Sequence, residues 1–245
     1  MKYIKKINKI LFLLSFVSLL IVSFYLFPLP EHTEIIPHIK DLSPVIEPIK
    51  KEPYKTDFDG VTYKITPLYS YEAYGVIVEH YDSDNWLDVI HEGDPAQTKD
   101  ICIVWGENIK NDIYRKVKYS HGEFTCFVET DSREVWQQFN QNELTNNHLI
   151  PANDELEKLL KKTKIGDQVY IKGMLVNYEI LDEDGNKVRW RTTSSTMEDR
   201  DCEVVFVEDY EIIKSRHPLI KNARQYSFWG LGLSTLIGGI LFLFT

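Results

Sequence analysis

The sequence predicts a mostly β (α+β) domain with one prominent helix, flanked by two transmembrane helices. Residues 10–27 and residues 226–245 contain no charged side chain. At ~1.5 Å per residue, each segment is long enough to cross the hydrocarbon core of a bilayer as a helix. Between them, short apolar runs are bounded by polar turn residues, and aromatic residues make up 13% of the chain. That composition favours strands, so we expect one β-rich globular domain over residues 54–213.

The first apolar segment, residues 10–27, follows a basic tail, residues 1–9, with four lysines and no acidic residue. A lysine-rich start before a long apolar run is typical of a signal sequence. The run ends in Phe-Pro-Leu-Pro at 27–30 rather than in a small-x-small cleavage site. We therefore predict an uncleaved transmembrane signal anchor after a cytoplasmic tail, with a cleaved signal peptide as the alternative.

The second apolar segment, residues 226–245, follows a basic juxtamembrane segment, residues 214–225. Tyr226 and Trp229 lie where an interfacial aromatic belt is expected in a transmembrane helix. Two spans put the whole domain on one side of the membrane. The lysine-rich tail predicts the outer side, although the basic residues of 214–225 favour the opposite orientation.

Three small residues, Gly230, Ser234 and Gly238, recur every four positions in this segment. This spacing places them on one helix face, where small side chains let a second helix approach closely. The face is expected to pack against the first span or against a membrane-protein partner. Ordinary glycine content in a membrane helix is the alternative explanation.

The charge of the chain is unevenly distributed. Eight of the 28 basic residues lie in 1–27 and 214–245, where there is no acidic residue. Residues 28–213 therefore carry 20 basic and 37 acidic residues, a balance of −17. A field of that sign repels phosphate backbones, so no nucleic-acid partner is expected.

Residues 28–53 contain six of the ten prolines. Prolines at this density favour extended conformations and block helices and central strands. We predict a semi-rigid stalk between the membrane and the domain. The isoleucines and valine interleaved with the prolines leave a second option, in which the segment lies along the domain or binds a partner.

Within the domain, apolar runs bounded by polar residues predict strands. The runs are 61–69, 74–80, 100–105, 123–129, 169–176, 187–193 and 203–207. Asp184-Gly185 is typical of a hairpin turn before 187–193. One helix is predicted after Asn153 or Asp154, either of which can cap it, and Leu156, Leu159 and Leu160 form its apolar face.

The stretch KIGDQVYIKGMLVNYE, residues 164–179, resembles the oligonucleotide/oligosaccharide-binding (OB) barrel. In that fold a Gly-Asp turn starts a strand, and an internal glycine lets the strand bend around a small barrel. The resemblance implies a small OB-like or related β-barrel.

A second resemblance rests on four segments in a fixed order: VWGE at 104–107, NNHLIPAND at 146–154, GDQVYIKGMLVNYE at 166–179, and WRTTSST followed by DCEVVFVE within 190–208. Together they look like an uncharacterised family of bacterial membrane-anchored proteins. This chain departs from that pattern at 197–201, where Met-Glu-Asp-Arg-Asp stands in place of an arginine and a glycine-containing loop. The resemblance implies a two-pass protein of the bacterial inner (cytoplasmic) membrane with a periplasmic or extracytoplasmic domain, and it implies no activity.

His148, Ser194 and Ser195 are the weak candidates for catalysis. A histidine, a serine and a carboxylate together can form a hydrolase site. The chain has no GxSxG elbow, and no local pattern brings His148 to Ser194. The alternative is that His148 and the hydroxyls of residues 192–196 hydrogen-bond the backbone of connecting loops.

Asp82, Asp84 and Asp88 are weak candidates for a metal site, because their oxygens recur at nearly the spacing of a calcium loop. The glycine for the sharp turn and the closing bidentate glutamate are missing. A solvated acidic loop is the alternative, and no cofactor is expected.

Tryptophans are the main candidates for contacts with a ligand or partner. Trp136 lies in a polar segment and is the best surface candidate. Trp190 is also a candidate contact residue, although Trp105 and Trp190 each sit on or beside a strand and are expected to fill the core.

The three cysteines, Cys102, Cys126 and Cys202, form neither a CxxC motif nor a Cys/His cluster, so a zinc site is not expected. They are either three buried thiols or one disulfide with one thiol left over. Cys102–Cys126 is the candidate disulfide for an oxidising compartment.

These features favour a membrane-anchored, non-catalytic envelope module that binds a protein or glycan partner, with membrane lipid as the other partner. The first alternative is a membrane-tethered hydrolase using His148 and Ser194 or Ser195. The second is a nucleic-acid-binding OB-like domain, which the acidic balance disfavours.

Overall fold

The computed structural model describes residues 2–24, 29–83, 93–122, 125–196, 202–216 and 218–243. The chain forms two compact units. One consists of Met1–Pro28 with His217–Thr245, and the other of Leu29–Arg216. The helices are α1 (Lys2–Phe24), α2 (Pro37–Asp41), α3 (Glu107–Lys110), α4 (Arg133–Gln138), α5 (Asp154–Lys162) and α6 (Pro218–Leu243). The strands are β1 (Val45–Pro48), β2 (Tyr54–Phe58), β3 (Val61–Asp82), β4 (Lys99–Val104), β5 (Lys118–His121), β6 (Cys126–Glu129), β7 (Leu144–Pro151), β8 (Gln168–Leu181), β9 (Lys187–Arg191) and β10 (Glu203–Lys214).

In the helical unit, α1 and α6 pack against each other through small and polar residues. A Cβ added at Gly230 would lie 2.2 Å from Ser15 Oγ, so only glycine permits this approach. Ser227 Oγ donates a 2.8 Å hydrogen bond to Ser18 Oγ. The Asn8 side chain donates to the Ser234 carbonyl at 3.0 Å. The small-residue face of α6 therefore contacts α1.

The outer faces of both helices carry large exposed apolar side chains, among them Leu13, Leu14, Phe228, Trp229 and Leu236. Within the described residues, no helix combines the length and the apolar character that crossing a bilayer requires. The two transmembrane helices expected from the sequence therefore stay a prediction.

The proline-rich segment is part of the globular unit, which begins at Leu29 rather than at residue 54. Pro37 occupies the start of α2, where its missing N–H costs no hydrogen bond. Ile35 and Ile39 are buried in the main core. β1 then adds to β3 as an edge strand that tolerates Pro48. The segment thus lies along the domain instead of standing free as a stalk, because burying its isoleucines stabilises the packed arrangement.

The sheet is mostly antiparallel. Five of its strands pair in a ring, since the last strand of the series also pairs with the first. The order is β3-β4-β7-β10-β8, and β8 also pairs with β3. β3 reaches both neighbours because it spans 22 residues, pairing with β8 along 62–76 and with β4 along 76–82. The two strands predicted at 61–69 and 74–80 are thus one strand. β7 and β10 form a parallel pair, and α5 lies between β7 and β8 in the chain.

Gly173 on β8 is required by the close approach of β10. A Cβ at this position would lie 2.0 Å from the Phe206 carbonyl oxygen. The register between the strands shifts just beyond, between Val207 and Asp209. The glycine that the sequence picks out thus marks a close backbone contact between the two strands.

Local signals place the α5 cap and the β8–β9 hairpin correctly. The Asn153 side chain accepts hydrogen bonds from the Glu155 and Leu156 amides. Gly185 adopts a φ of +81° in the turn between β8 and β9, a conformation that glycine adopts without steric cost.

Two features of the domain differ from the sequence prediction. β7 (Leu144–Pro151) is a strand in the middle of the sheet, whereas its polar residues suggest a connecting segment. Trp105 is buried as expected, but Trp190 is 63% exposed. The reason is that β9 stands at the end of the strand order, where core packing does not cover it.

Candidate functional site

A buried carboxylate–imidazole pair joins the neighbouring strands β4 and β7. Asp100 and His148 are opposite each other in the register. His148 Nδ1 lies 2.7 Å from Asp100 Oδ1, and both side chains are buried. Arg191 Nη1 lies 3.1 Å from His148 Nε2. Because a guanidinium can only donate, Nε2 of His148 is the acceptor in this contact.

Near this pair, the Asn146 carboxamide lies between two of the three cysteines, Cys102 and Cys202. Its oxygen lies 3.2 Å from His121 Nε2 and 3.6 Å from Cys102 Sγ. Its nitrogen donates to Cys202 Sγ at 3.5 Å. Cys102 and Cys126 form a disulfide with Cα atoms 6.1 Å apart. This is the pair singled out from the sequence, and it ties the β5–β6 hairpin to β4.

A cavity of about 360 Å³ opens beside these groups. Its walls are the strand β6, the helix α4, and the first residues of β7 and β10. Two aromatic rings in the wall reach solvent, since Phe127 is 49% and Trp136 is 42% exposed. Ser132 holds α4 in place, because its hydroxyl caps the helix by accepting from the Val135 amide at 3.2 Å.

The rest of the lining is largely amide, hydroxyl and carboxylate. These residues are Gln141, Asn142, Thr145, Asn146, Thr196 and Glu203. Glu203 is buried and accepts a hydrogen bond from Thr145 Oγ1. It is the one residue with a formal charge among the described residues that line the cavity. The cavity therefore presents many neutral donors and acceptors and one anion.

Cys126 and Cys202 also line the cavity. Burial raises the pKa of the Cys202 thiol to about 11, with Glu203 and Asp100 adding to the rise and Asn146 and Arg191 opposing it. The group is therefore a thiol rather than a thiolate at neutral pH, and it packs as a weakly polar wall.

The structure gives the catalytic candidates different surroundings. Ser194 Oγ donates to the Thr196 carbonyl at 2.7 Å and accepts from the Thr196 amide at 3.1 Å. These bonds close a local turn. Hydroxyl side chains in loops often hydrogen-bond nearby backbone groups in this way. His148 is instead a strand residue placed against Asp100. Ser195 is partly buried beside Ser194.

Of the three metal candidates, only Asp82 falls on described residues; Asp84 and Asp88 lie outside them. Asp82 Oδ1 lies 2.6 Å from the buried Lys99 Nζ. Burial alone raises the pKa of this carboxyl, but the Lys99 ammonium outweighs it and the net pKa is lowered. In the described part of the chain, no group of three histidine, cysteine or acidic side chains is arranged to hold a metal ion.

The two tryptophan candidates have separate locations. Trp136 lines the cavity. Trp190 stands on the edge strand β9, where Lys187 Nζ lies 4.8 Å from the centre of its ring. Sequence reasoning missed Asp100, Asn146, Arg191 and Glu203. A signal for one of them, Asn146, was the polar run at 145–148, since polar residues inside an apolar strand pattern are often buried and paired.

Comparison with known protein families, with curated proteins and with solved structures finds no match. The family resemblance drawn from the sequence motifs therefore stays a prediction.

Proposed function

We propose that the chain is a membrane-anchored, non-catalytic module whose cavity binds a neutral saccharide. The observation that carries the proposal is the cavity itself. It combines two half-exposed aromatic rings with a lining of amides and hydroxyls.

Sugars match this lining because they present both apolar C–H faces and rings of hydroxyl groups. Trp136 offers a flat apolar surface for stacking. Asn142, Asn146 and Gln141 each supply donors and an acceptor for hydroxyls. Glu203 is the sole formal charge in the described lining, so an anionic ligand such as a phosphate would meet repulsion and no cation.

The strand order supports an OB-like barrel as the scaffold. The closed order β3-β4-β7-β10-β8 contains five strands with a parallel pair. A five-stranded Greek-key barrel is the OB architecture, and its ligands bind at strands 2 and 3 and the adjoining loops. Counted along the chain, β4 and β7 are the second and third of these five strands. The cavity begins at the start of β7.

The helical unit supports membrane anchoring. α1 and α6 pair through small residues and leave large apolar side chains exposed around the pair. Such a surface is stabilised by lipid and destabilised by water. The Cys102–Cys126 disulfide favours an oxidising, extracytoplasmic compartment for the domain.

Ligand binding is tested by titrating the purified chain with neutral oligosaccharides, namely a chitotetraose and a maltotetraose, and following tryptophan fluorescence. We expect a saturable change for at least one of them. An anionic heparin fragment of the same length should give none. A saturable change for the heparin fragment alone would overturn the proposed lining chemistry.

Trp136→Ala and Trp190→Ala form a matched pair for this titration. Trp136→Ala should weaken binding by about 5- to 150-fold, because loss of one stacking ring costs about 1–3 kcal/mol. Trp190→Ala should bind as the wild type does, since Trp190 is outside the cavity. Equal losses of saccharide affinity in both variants would show that Trp136 is not the stacking contact.

A hydrolase is the second candidate, because Asp100 Oδ1 lies 2.7 Å from His148 Nδ1 and a catalytic triad also places a carboxylate beside an imidazole. In that function His148 Nε2 would have to leave Arg191 and reach a serine hydroxyl. Turnover of an oligosaccharide or ester that His148→Gln and Ser194→Ala both abolish, with circular dichroism unchanged, would favour it over a binding module.

Membrane anchoring has its own test. The full chain expressed in bacteria should stay in the membrane fraction after carbonate washing, and added protease should cleave the domain only from the extracytoplasmic side. Release of the chain by carbonate would contradict the anchoring while leaving the saccharide test unaffected.

A further inference from the structure

The three cysteines of the chain lie in one region of the fold. The Asn146 carboxamide lies 3.6 Å from Cys102 Sγ on one side and 3.5 Å from Cys202 Sγ on the other. Cys126, bonded to Cys102, forms part of the cavity wall together with Cys202. A disulfide and the third cysteine thus share one cavity, although they lie at least 76 residues apart in the sequence.

We infer that Cys202 exchanges with the Cys102–Cys126 disulfide and moves the bond to Cys126–Cys202. The Cys202 thiolate attacks Sγ of Cys126, which is the disulfide cysteine that lines the cavity. The Cys102–Cys126 bond breaks as the Cys126–Cys202 bond forms, and Cys102 leaves as a thiolate. The proton lost by Cys202 returns to Cys102, so the oxidation state of the chain is unchanged and no outside oxidant or reductant takes part.

The direction of attack follows from burial. Cys102 lies on the central strand β4 and is completely buried, whereas Cys126 is partly accessible at the cavity wall. The side chain of Asn146 also stands between Cys102 and Cys202. We therefore place the attack on Cys126, which shares the cavity wall with Cys202, and Cys102 is then the leaving group.

The exchange changes what the β5–β6 hairpin is tied to. In the present state the disulfide holds β6 against β4. After exchange, the same hairpin is tied to the residue that precedes β10, on another wall of the cavity. The cavity then narrows, so the two disulfide states differ in access to it. The effect on saccharide binding rests on the proposed function, but the exchange does not.

Proton loss from Cys202 controls the rate. Only the thiolate attacks a disulfide, and burial keeps this group protonated at neutral pH. Glu203 and Asp100 oppose its ionisation, whereas Asn146 and Arg191 favour it. The rate of exchange should rise about tenfold for each pH unit between pH 7 and pH 9, because the thiolate fraction rises by that factor below the pKa.

The first experiment uses the full wild-type chain in detergent with iodoacetamide at pH 7, 8 and 9, followed by peptide mapping in acid. Exchange is recognised by a Cys126–Cys202 peptide together with alkylated Cys102. We expect this product to form about tenfold faster at each step in pH. Alkylation of Cys202 alone, with Cys102–Cys126 intact throughout, would overturn the inference.

The second experiment compares Cys102→Ser with Cys126→Ser in a glutathione redox buffer, each checked for folding by circular dichroism. Cys102→Ser should form a Cys126–Cys202 bond, and Cys126→Ser should keep two alkylatable thiols. Two alkylatable thiols in a folded Cys102→Ser chain would overturn the exchange. A Cys102–Cys202 bond of equal yield in Cys126→Ser would overturn the choice of Cys126 as the attacked sulfur. A loss of saccharide binding with normal exchange would count against the proposed function alone.

Discussion

His148 and Asp100 face each other across the β4–β7 pair, with His148 Nδ1 2.7 Å from Asp100 Oδ1 and both side chains withdrawn from water. Asp100→Ala should lower the free energy of unfolding by about 1–3 kcal/mol, because it takes away the carboxylate that lies beside the buried His148 ring. Urea unfolding followed by tryptophan fluorescence measures the change.

The control for this prediction is Glu211→Ala, which removes an exposed carboxylate from β10 and should change stability by less than about 0.5 kcal/mol. The double variant Asp100→Ala/His148→Leu should cost less than the two single changes added together. Strict additivity would mean that the two side chains do not interact.

Gly173 gives a prediction about backbone packing. Gly173→Ala should destabilise the domain by about 3 kcal/mol or more, because the added carbon would lie 2.0 Å from the Phe206 carbonyl oxygen and the two strands must separate. Gly185→Ala meets no atom within 4 Å but must hold a φ of +81°, so about 1 kcal/mol is expected. Thermal unfolding measures the loss of stability in each variant. A larger loss in Gly185→Ala than in Gly173→Ala would contradict the prediction.

Buried tyrosines predict a loss of stability at high pH. Burial raises the pKa of Tyr71, Tyr178 and Tyr210 well above the usual value, with Glu203 adding to the rise at Tyr71 and Asp94 at Tyr178. Below about pH 10 these phenols are protonated in both states. Above it the unfolded chain loses protons that the folded chain keeps. The free energy of unfolding should then fall by about 1.4 kcal/mol per pH unit for each such tyrosine.

Urea unfolding between pH 8 and pH 12 tests this dependence, and Tyr210→Phe is the comparison. Tyr210 shares a 2.9 Å hydrogen bond with Thr163, so its loss should cost about 1 kcal/mol at pH 8. Above pH 10 the variant should lose stability less steeply than the wild type, by about 1.4 kcal/mol per pH unit. If the free energies of unfolding of the variant and the wild type fell in parallel with pH, Tyr210 would ionise equally in the folded and unfolded chains.

Gly230 and Gly232 test the packing of the two terminal helices. Gly230→Val should separate α1 from α6, since a Cβ there would lie 2.2 Å from Ser15 Oγ. Gly232→Val should be tolerated, because a Cβ there meets no atom within 4 Å. Chemical crosslinking between Ser18→Cys and Ser227→Cys, whose hydroxyls are 2.8 Å apart in the native pair, should fail with Gly230→Val and succeed with Gly232→Val.

Features with short-range causes were predictable. The Asn153 cap satisfies amides two and three residues away, and the hairpin between β8 and β9 follows from Asp184-Gly185. Strand positions also followed from apolar runs, although their ends differed by several residues. β7 was missed because its polar residues interrupt the apolar pattern, and they are tolerated there because partners satisfy them, as Tyr71 does for Asn147 at 2.8 Å.

The candidate site was predictable only in pieces. His148, Trp136 and the Cys102–Cys126 pair were identifiable as residues of the right chemical type. Their neighbours were not, because Asp100 and Arg191 each lie more than 40 residues from His148. Trp190 was expected in the core since it lies on a strand, but exposure depends on whether that strand is central or at an edge.

The sequence by itself determined the class of the domain, its capped helix, its hairpin turn and the apolar character of both ends, since each depends on residues close together in the chain. The tertiary structure decided that the proline-rich segment packs on the domain, that His148 lies beside Asp100, and that Cys102 and Cys202 lie on either side of Asn146. The physical reason is strand register: a slip of one residue between β4 and β7 would turn His148 and Asn146 to the other face and separate every pair in the site.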